Sequence, residues 1–254
     1  MKSGSNSRVE HVSIPDDNTR IQDGMKVLHY IRSRRSIREF TGARIPDDHI
    51  ELILEAARHA PSPENILMIK LTVIRDDAEM KSFLADIAQE NAQQVFGSAP
   101  FEITSGRNWY IEDPFRAAVY SRLREGDLFR YSQKSDAVIM VCVSDAWNDA
   151  TKLYQNELFG SVTAGMAVLN MWLVASAMGY GCGYEALPFS DPRHAQMIRD
   201  RLGIPPIWRP LSAFCIGVPI SKRDLGPSRP PLEGLVYEER WGKVYERLAF
   251  KNGE

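Results

Sequence analysis

The sequence predicts an α+β domain, and three observations support that class. Three or four strand-like segments occur among about five helical ones, without the strict strand–helix–strand alternation of a parallel sheet. The 254 residues are enough for one sizeable core. Their composition, 44% hydrophobic and 25% charged, is average for soluble globular chains. Disordered chains, collagen and small disulfide scaffolds are therefore excluded.

The chain begins with an irregular segment, and the first predicted helices follow it. Residues 1–23 have no apolar period and are predicted to form an N-terminal tail, followed by a single domain over 24–254. From Met25 onward, apolar residues recur at helical spacing. A second helix begins at Pro46 with acids in its first turn, and a third is predicted over Met80–Val95.

The strands are predicted from short runs of β-branched and other apolar residues. A helix opened by Ser190 or Asp191 separates the last two of them. The four runs are Ile66–Ile74, Ala137–Val143, Cys182–Leu187 and Leu211–Pro219.

One long segment, Leu158–Tyr184, contains no Asp, Glu, Lys or Arg and is long enough to cross a bilayer. Small and polar residues dilute its apolar character, and glycines interrupt its end, so the pattern favours a central buried helix without membrane contact. The polar N-terminus lacks the apolar run of a secretory signal. We expect a cytoplasmic protein.

The charge and the reactive side chains argue against several function classes. A net charge of −2 gives no field that would draw the chain onto nucleic acid. The three cysteines form no CxxC pair, which favours a reducing compartment. The five histidines show no metal-ligand spacing, and we expect no metal site.

Three glycines, Gly179, Gly181 and Gly183, suggest a dinucleotide fingerprint at first sight. The third glycine of that motif would have to stand where Tyr184 stands, and the motif must open a helix. Here the glycines close one. A helix C-terminus has the wrong dipole sign for a pyrophosphate, so a Rossmann-type site is not expected.

Aromatic residues are concentrated between the third helix and the second strand. Arg, Asp and Glu are interleaved with them, so we predict a lid with one apolar face over about 97–131. Four of these side chains could stack on a conjugated substrate or could pack in a dimer interface: Trp109, Tyr110, Phe115 and Tyr120. The last segment, about 220–254, lacks periodicity and is predicted to form a C-terminal arm.

Four arginines, Arg32, Arg34, Arg35 and Arg38, fall within seven residues directly after the first helix, with Ser36 among them. Such a cluster can be a solvated basic turn. Guanidinium groups are costly to gather unless an anion compensates them, and their planar fork matches phosphate. In a chain of net charge −2, an anion site is the favoured interpretation.

Together these residues resemble the nitroreductase family over residues 25–241. Each motif is weak alone, but they occur in the family's order and spacing. They are the run Arg34–Phe40 followed by Ile45-Pro46, the helix end Ala56–Asn65, the glycine-rich Ala175–Gly181, and the closing Gly217-x-Pro219 and Arg229-Pro-Pro-Leu-Glu.

The resemblance implies a central mixed or antiparallel sheet flanked by helices, in an intertwined homodimer that binds FMN. It implies that Arg34 and Arg229 hold the phosphate and that Arg38 contacts flavin N1 and O2, while the backbone amides of Glu185 and Ala186 face N5 and O4. Arg35 and Ser36 belong to the same flavin-binding run. It further implies that three residues reach the flavin from the partner subunit, namely Pro61, Ser62 and Asn65.

The chain departs from the family pattern at two points. The run Asn65–Ile69 lacks the family's Gln-Pro-Trp, which leaves flavin or substrate contacts there open. The usual glycine near N5 is replaced by Ala186, after a Glu185 that either lies at the flavin or is a surface residue. The long lid resembles the subgroup that contains dehalogenases and biosynthetic dehydrogenases.

The implied activity is a ping-pong reaction in which NADH or NADPH delivers hydride to flavin N5 and an electron-poor substrate then takes it up. A nitro, quinone or halogenated aromatic compound would be such a substrate. Because the cofactor makes and breaks the bonds, no catalytic side chain is expected. Two alternatives stay open: a specialised flavin-dependent dehydrogenase or oxidase of a biosynthetic pathway, and a non-catalytic flavin-binding protein.

Overall fold

The computed structural model describes residues 16–97, 121–122, 125, 127–144, 155–221 and 232–245. Its helices are α1 (Asp17–Ser33), α2 (Asp47–Arg58), α3 (Ala78–Gly97), α4 (Gln155–Ala177) and α5 (Pro192–Arg201). Its strands are β1 (Ile69–Ile74), β2 (Ala137–Ser144), β3 (Gly181–Glu185) and β4 (Trp208–Gly217). Short 3-10 helices cover Pro63–Asn65, Asp127–Gln133, Leu187–Phe189 and Leu232–Gly234.

The four strands form one antiparallel sheet in the order β1-β2-β4-β3. The α+β class is thereby confirmed, with an antiparallel sheet where the sequence left mixed and antiparallel pairing open. β1 and β3 lie at opposite edges of the sheet. β2 lies inside it, and every one of its residues is buried. That burial explains why its sequence is an unbroken apolar run without the usual alternation.

Helices cover both faces of the sheet. On one face, Ile139 and Phe214 belong to a core that includes Ile53 of α2 and Met171 of α4. On the other face, Met140 and its neighbours pack with residues of α3 and α5. The core therefore has two apolar layers, one on each side of a shared sheet.

Helix α1 starts earlier than predicted. Its N-cap is Asp16, whose side chain accepts a hydrogen bond from the Thr19 backbone N–H at 3.1 Å. Residues 17–23, which the sequence analysis placed in the tail, are therefore helical. None of the helix's residues is buried. Residues 17–23 contain one apolar residue, Ile21, so periodicity detects the helix only from Met25 onward.

Strand β1 starts later than predicted, at Ile69 instead of Ile66. The 3-10 turn at Pro63–Asn65 precedes it, and Glu64 and Asn65 have φ values of 51° and 58°. Residues other than glycine rarely adopt these left-handed angles, so the backbone stores strain at this point.

Helix α4 is the one described helix that is apolar and long enough to cross a membrane, over Leu158–Ala177. Ala164, Ala167 and Met171 are nevertheless buried against the sheet and α2. Core helices of soluble proteins combine length and apolar composition in the same way, and the packing agrees with the predicted central helix.

Candidate functional site

The basic segment after α1 is joined to the edge strand β3. Ser36 forms a parallel bridge with Cys182, and the Ile37 N–H donates to the Cys182 carbonyl at 2.8 Å. Farther along, Phe40 bridges Pro219 in antiparallel fashion. The segment thus extends the sheet by one short strand, which places Arg34, Ser36 and Arg38 beside β3.

Glycine is required in β3 because the basic segment comes so close. A Cβ atom on Gly181 would lie 2.8 Å from Ile37 Cγ2, and one on Gly183 would lie 2.5 Å from Tyr131 Cε2. Neither distance is compatible with a normal van der Waals contact. Of the three glycines that resembled a nucleotide fingerprint in the sequence, Gly181 and Gly183 therefore serve close packing, whereas Gly179 has a φ of +85° and open space at its Cβ position.

Arg34 lies against an indole ring of α4. Its guanidinium carbon is 4.5 Å from the centroid of the Trp172 ring, and Trp172 Nε1 donates to the Arg35 carbonyl at 3.3 Å. A cation over an aromatic face in this range is an attractive contact. Trp172 therefore fixes the start of the basic segment at two points.

The side chain of Arg35 forms hydrogen bonds with backbone carbonyls at the end of α1. Its Nη1 donates to the carbonyls of Arg32 and Arg34, at 2.5 and 2.8 Å. A cation at the last carbonyls satisfies orphan acceptors and complements the helix dipole. In this chain Arg35 acts as a C-terminal helix cap.

Arg38 lies on the other side of the segment, with its guanidinium carbon 5.9 Å from the centroid of the Tyr131 ring. Its Nε is buried and has no hydrogen-bond partner among the described residues. Tyr131 is itself buried, and its hydroxyl donates to the Tyr184 carbonyl at 2.8 Å. Arg38 is thus held near the end of β3 with donor capacity to spare.

Glu185, the last residue of β3, is only 3% exposed. That burial excludes the alternative in which it is a surface residue. Its Oε1 accepts from the Leu187 N–H at 3.1 Å, while its buried Oε2 has no partner in the described part of the chain. Burial raises the pKa of the carboxyl to about 7, and the Leu187 N–H and, less strongly, Tyr131 and Arg38 oppose that rise.

The turn that follows Glu185 is held by a buried polar pair that the sequence analysis missed. Asn91 of α3 donates from Nδ2 to the Leu187 carbonyl at 2.7 Å. Its Oδ1 is 3.0 Å from His194 Nδ1 on α5. Both side chains are buried. The pair fixes the backbone after Ala186 from two helices that lie far apart in sequence.

Pro61, Ser62 and Asn65 lie elsewhere in the fold. They precede β1, at the sheet edge opposite to β3. Four adjacent strands at about 4.8 Å spacing separate the two edges by roughly 14 Å. Ser62 Oγ is buried without a hydrogen-bond partner among the residues described.

Five predicted site residues lie outside the described residues. They are the lid residues Trp109, Tyr110, Phe115 and Tyr120, and the C-terminal Arg229. Their roles stay predictions. Of the lid segment, the structure describes residues 97, 121–122, 125 and 127–131. The last of these belong to the 3-10 helix Asp127–Gln133, in which Tyr131 is buried and not exposed as a cover.

All three cysteines are free and buried. Burial raises the pKa of the Cys142 thiol to about 11 and raises the pKa of Cys182 and Cys215 still further. A thiol with so high a pKa is not a nucleophile near neutral pH. The cysteines therefore have a packing role.

Arginines gathered beside a sheet edge suit a ligand with an anionic group. The chain belongs to the Nitroreductase family, whose model matches residues 31–218. The match includes the basic segment, all four strands and the turn after β3.

Several known proteins are similar to the chain. The FMN reductase [NAD(P)H] of Bacillus subtilis (strain 168) is 22% identical over 217 residues, which cover 85% of this chain and 74% of that protein. The 5,6-dimethylbenzimidazole synthase of Rhodospirillum rubrum is 24% identical, covering 86% of this chain and 91% of the synthase. A crystal structure from Desulfovibrio desulfuricans in complex with FMN is 26% identical, with coverages of 85% and 97% and a TM-score of 0.58.

Proposed function

We propose that the chain is an FMN-dependent oxidoreductase that accepts hydride from NADH or NADPH and passes it to an electron-poor aromatic, quinone, nitro or halogenated compound. The family match supports an enzyme of this kind. So do the relative that is an FMN reductase using NAD(P)H and the similar structure that contains FMN.

One observation carries the proposal: the parallel bridge between Ser36 and Cys182 joins the basic segment to β3. In that position Arg34 would contact the phosphate and Arg38 the pyrimidine edge of the flavin. The segment runs parallel to β3, so Arg38 follows toward the end of the strand, where the Glu185 and Ala186 amides lie. Arg229 of the C-terminal arm would complete the phosphate contacts.

The described residues fit FMN. Arg38 Nε and Ser62 Oγ are buried polar atoms without a hydrogen-bond partner among the described residues. Such atoms cost free energy unless a ligand or water satisfies them. The flavin, when bound, supplies a hydride acceptor at N5. A fixed cation near its pyrimidine edge favours the extra negative charge that follows reduction.

The chain's own tasks are then binding and orientation. Trp172 holds Arg34 in place, Tyr131 lies beside Arg38, and the Asn91–His194 pair fixes the turn after Ala186. The four lid aromatics would stack on a conjugated substrate. No side chain is required to act as an acid or base on the reacting atoms.

A homodimer completes this proposal. Pro61, Ser62 and Asn65 precede β1 at the far edge of the sheet from Glu185, so a second chain would bring them to the flavin. Helix α1 buries none of its residues, and Leu158, Val162 and Leu169 of α4 are each nearly half exposed. Exposed apolar surface on two long helices is typical of a subunit interface.

Co-expression of two defective chains tests the two-chain site. We expect Arg38→Ala to weaken FMN binding by removing a donor, and Ser62→Asp to weaken it by repulsion of the phosphate. A heterodimer of the two variants, isolated with two affinity tags, would contain one fully wild-type site and one doubly altered site. Recovery of one tightly bound FMN per dimer supports the proposal. A heterodimer as weak as either homodimer contradicts it.

The activity itself is tested by anaerobic reduction of the purified yellow protein. NADH and NADPH are each added in the absence of oxygen, and the visible flavin absorbance is followed. Bleaching within minutes by either nucleotide supports the proposal, and its recovery on addition of a quinone or nitroaromatic compound identifies the acceptor class. Failure of both nucleotides to bleach the flavin contradicts it.

A second candidate function is a specialised flavin reaction in a biosynthetic pathway. The relative that favours it is the 5,6-dimethylbenzimidazole synthase, which the alignment covers almost completely, at 91%. In the same anaerobic experiment, bleaching by a small organic substrate but by neither nucleotide would favour this second function.

A further inference from the structure

The buried carboxyl of Glu185 lies among groups that do not neutralise it fully. Leu187 donates one backbone N–H to Oε1, and Oε2 receives no hydrogen bond within the described residues. Buried carboxylates that are stable as anions usually accept two or three such bonds. The surroundings of Glu185 therefore leave room for a proton on the carboxyl.

The hydroxyl proton of Tyr131 is already committed elsewhere. The Tyr131 hydroxyl donates to the Tyr184 carbonyl at 2.8 Å. A phenol has one proton to donate and can accept as well. Its one proton is therefore used by the Tyr184 carbonyl, and the buried Oε2 of Glu185 stays without a hydrogen bond among the described residues.

Three groups that can carry charge face Glu185 in the described part of the chain. They are Arg38 of the basic segment, Tyr131 of the 3-10 helix Asp127–Gln133, and Cys215 of β4. Burial raises the pKa of Tyr131 and of Cys215 well above neutral, so both stay uncharged. Arg38 is therefore the charged group to which Glu185 responds.

We propose that Glu185 binds a solvent proton each time the bound flavin is reduced, and releases it when the flavin is reoxidised, with Arg38 linking the two charges. The inference rests on the proposed function. Negative charge that gathers near Arg38 on reduction competes for the same guanidinium that stabilises the Glu185 carboxylate. The carboxylate then takes up a proton.

The step balances without a further reactant. The hydride carries two electrons and one proton from the nicotinamide, as its C–H bond breaks. The additional proton comes from water and forms an O–H bond on a Glu185 oxygen. On reoxidation that bond breaks and the proton returns to solvent. Glu185 acts through Arg38 and is a positioning residue in this scheme.

The protonation equilibrium of the Glu185 carboxyl supports the inference. Burial raises its pKa to about 7, so acid and carboxylate are both populated near neutral pH. A modest change in nearby charge is then enough to change the proton occupancy. A freely exposed glutamate would stay ionised throughout.

The test is the pH dependence of the midpoint potential of bound FMN, measured with dithionite and a reference dye and without NAD(P)H. For a two-electron couple, one additional proton makes the slope against pH up to twice as steep. We expect the wild-type slope near neutral pH to be up to twice that of Glu185→Gln, which cannot bind the proton. Glu79→Gln, an exposed acid at 88% side-chain exposure, is the matched control and should follow the wild type.

A second measurement keeps the test independent of one variant's folding. Proton uptake is counted with an indicator dye while the wild-type holoprotein is reduced in weak buffer, and Tyr131→Phe is compared with it. We expect the tyrosine variant to shift the pH range of the additional proton without abolishing it. If FMN binds but its midpoint potential depends on pH in the same way in the wild type, Glu185→Gln and Tyr131→Phe, this inference is overturned and the proposed function is not. A chain that binds no FMN overturns the proposed function and this inference with it.

Discussion

The indole ring of Trp172 lies beneath the guanidinium of Arg34, with 4.5 Å between the guanidinium carbon and the ring centroid. The same indole donates from Nε1 to the Arg35 carbonyl. One side chain of the central helix therefore sets both the position of the first site arginine and the path of the backbone beside it.

Substitution of Trp172 should weaken FMN binding in a graded manner. Trp172→Phe keeps a ring under Arg34 but loses the N–H donor, whereas Trp172→Leu loses both. A cation–π contact contributes about 0.5–2 kcal/mol, so we expect the leucine variant to bind FMN roughly two- to thirtyfold more weakly than the wild type. Fluorescence titration measures the affinity. Trp208→Phe, whose ring lies under Lys70 away from the site, is the control; an equal loss there would contradict the assignment.

Removal of Arg38 or Arg229 should leave a folded protein with little colour. Deletion of one of several charge-assisted contacts to the flavin costs about 1.5–3 kcal/mol, or roughly ten- to hundredfold in affinity. Flavin retention after dialysis is the measurement, and circular dichroism checks the fold. Arg201→Ala removes a cation from the Phe83 ring instead and should retain the flavin. Undiminished yellow colour in Arg38→Ala would contradict the prediction.

Glu185→Gln should change how stability depends on pH. The pKa of this carboxyl is raised in the folded chain, from 4.5 to about 7. Its contribution to stability is therefore fully present below about pH 4.5 and is lost as the pH rises through 7. The loss amounts to about 3 kcal/mol above that range. Glutamine is neutral throughout, so the free energy of unfolding of the variant should increase relative to that of the wild type as the pH rises.

Urea unfolding of both proteins, after removal of flavin, gives the free energies of unfolding at several pH values. The difference between the two proteins isolates Glu185 from every other titrating group. A difference that does not change with pH would contradict the raised pKa.

Asn91→Leu should destabilise the fold and loosen the turn after Ala186. The substitution leaves the Leu187 carbonyl and His194 Nδ1 buried without their partner. Each such orphan costs about 1–3 kcal/mol. Denaturant unfolding measures the loss, and Gln94→Leu on an exposed position of the same helix should have little effect. If both variants are equally stable, the pair does not hold the turn.

Gly183→Ala should damage the site through crowding. The new methyl group would lie 2.5 Å from Tyr131 Cε2 and 3.0 Å from the Ile37 carbonyl. Overpacking of this kind costs about 1–3 kcal/mol, and we also expect weaker FMN binding because the basic segment is displaced. Gly24→Ala, inside α1 with open space around it, should be neutral or stabilise by up to about 1 kcal/mol. Unchanged flavin affinity in Gly183→Ala would contradict the argument.

The fold was predictable wherever burial leaves a periodic or unbroken apolar signal. Ala137–Val143 was predicted one residue short of β2, because a strand buried on both faces is apolar throughout. Asp191 was predicted as one of two possible caps and is the N-cap of α5. The predicted start of α1 was wrong because residues 17–23 contain only one apolar residue, Ile21, and so give no helical period.

The site was predictable only in part. The basic segment could be found because four arginines fall within seven residues, and the family resemblance supplied Glu185 and Ala186. The Asn91–His194 pair could not be found, since the two residues are 103 positions apart and neither belongs to a motif. The burial of Tyr131 could not be predicted either, because aromatic residues occur both in lids and in core contacts.

The burial of all three cysteine thiols affects how the protein would react with oxidants. Reduced flavins can pass electrons to oxygen and generate peroxide close to their own binding site. Cys142, Cys182 and Cys215 are all buried with raised pKa values, and oxidation by peroxide proceeds through exposed thiolates. Peroxide formed at a bound flavin would therefore find no exposed cysteine thiol to oxidise.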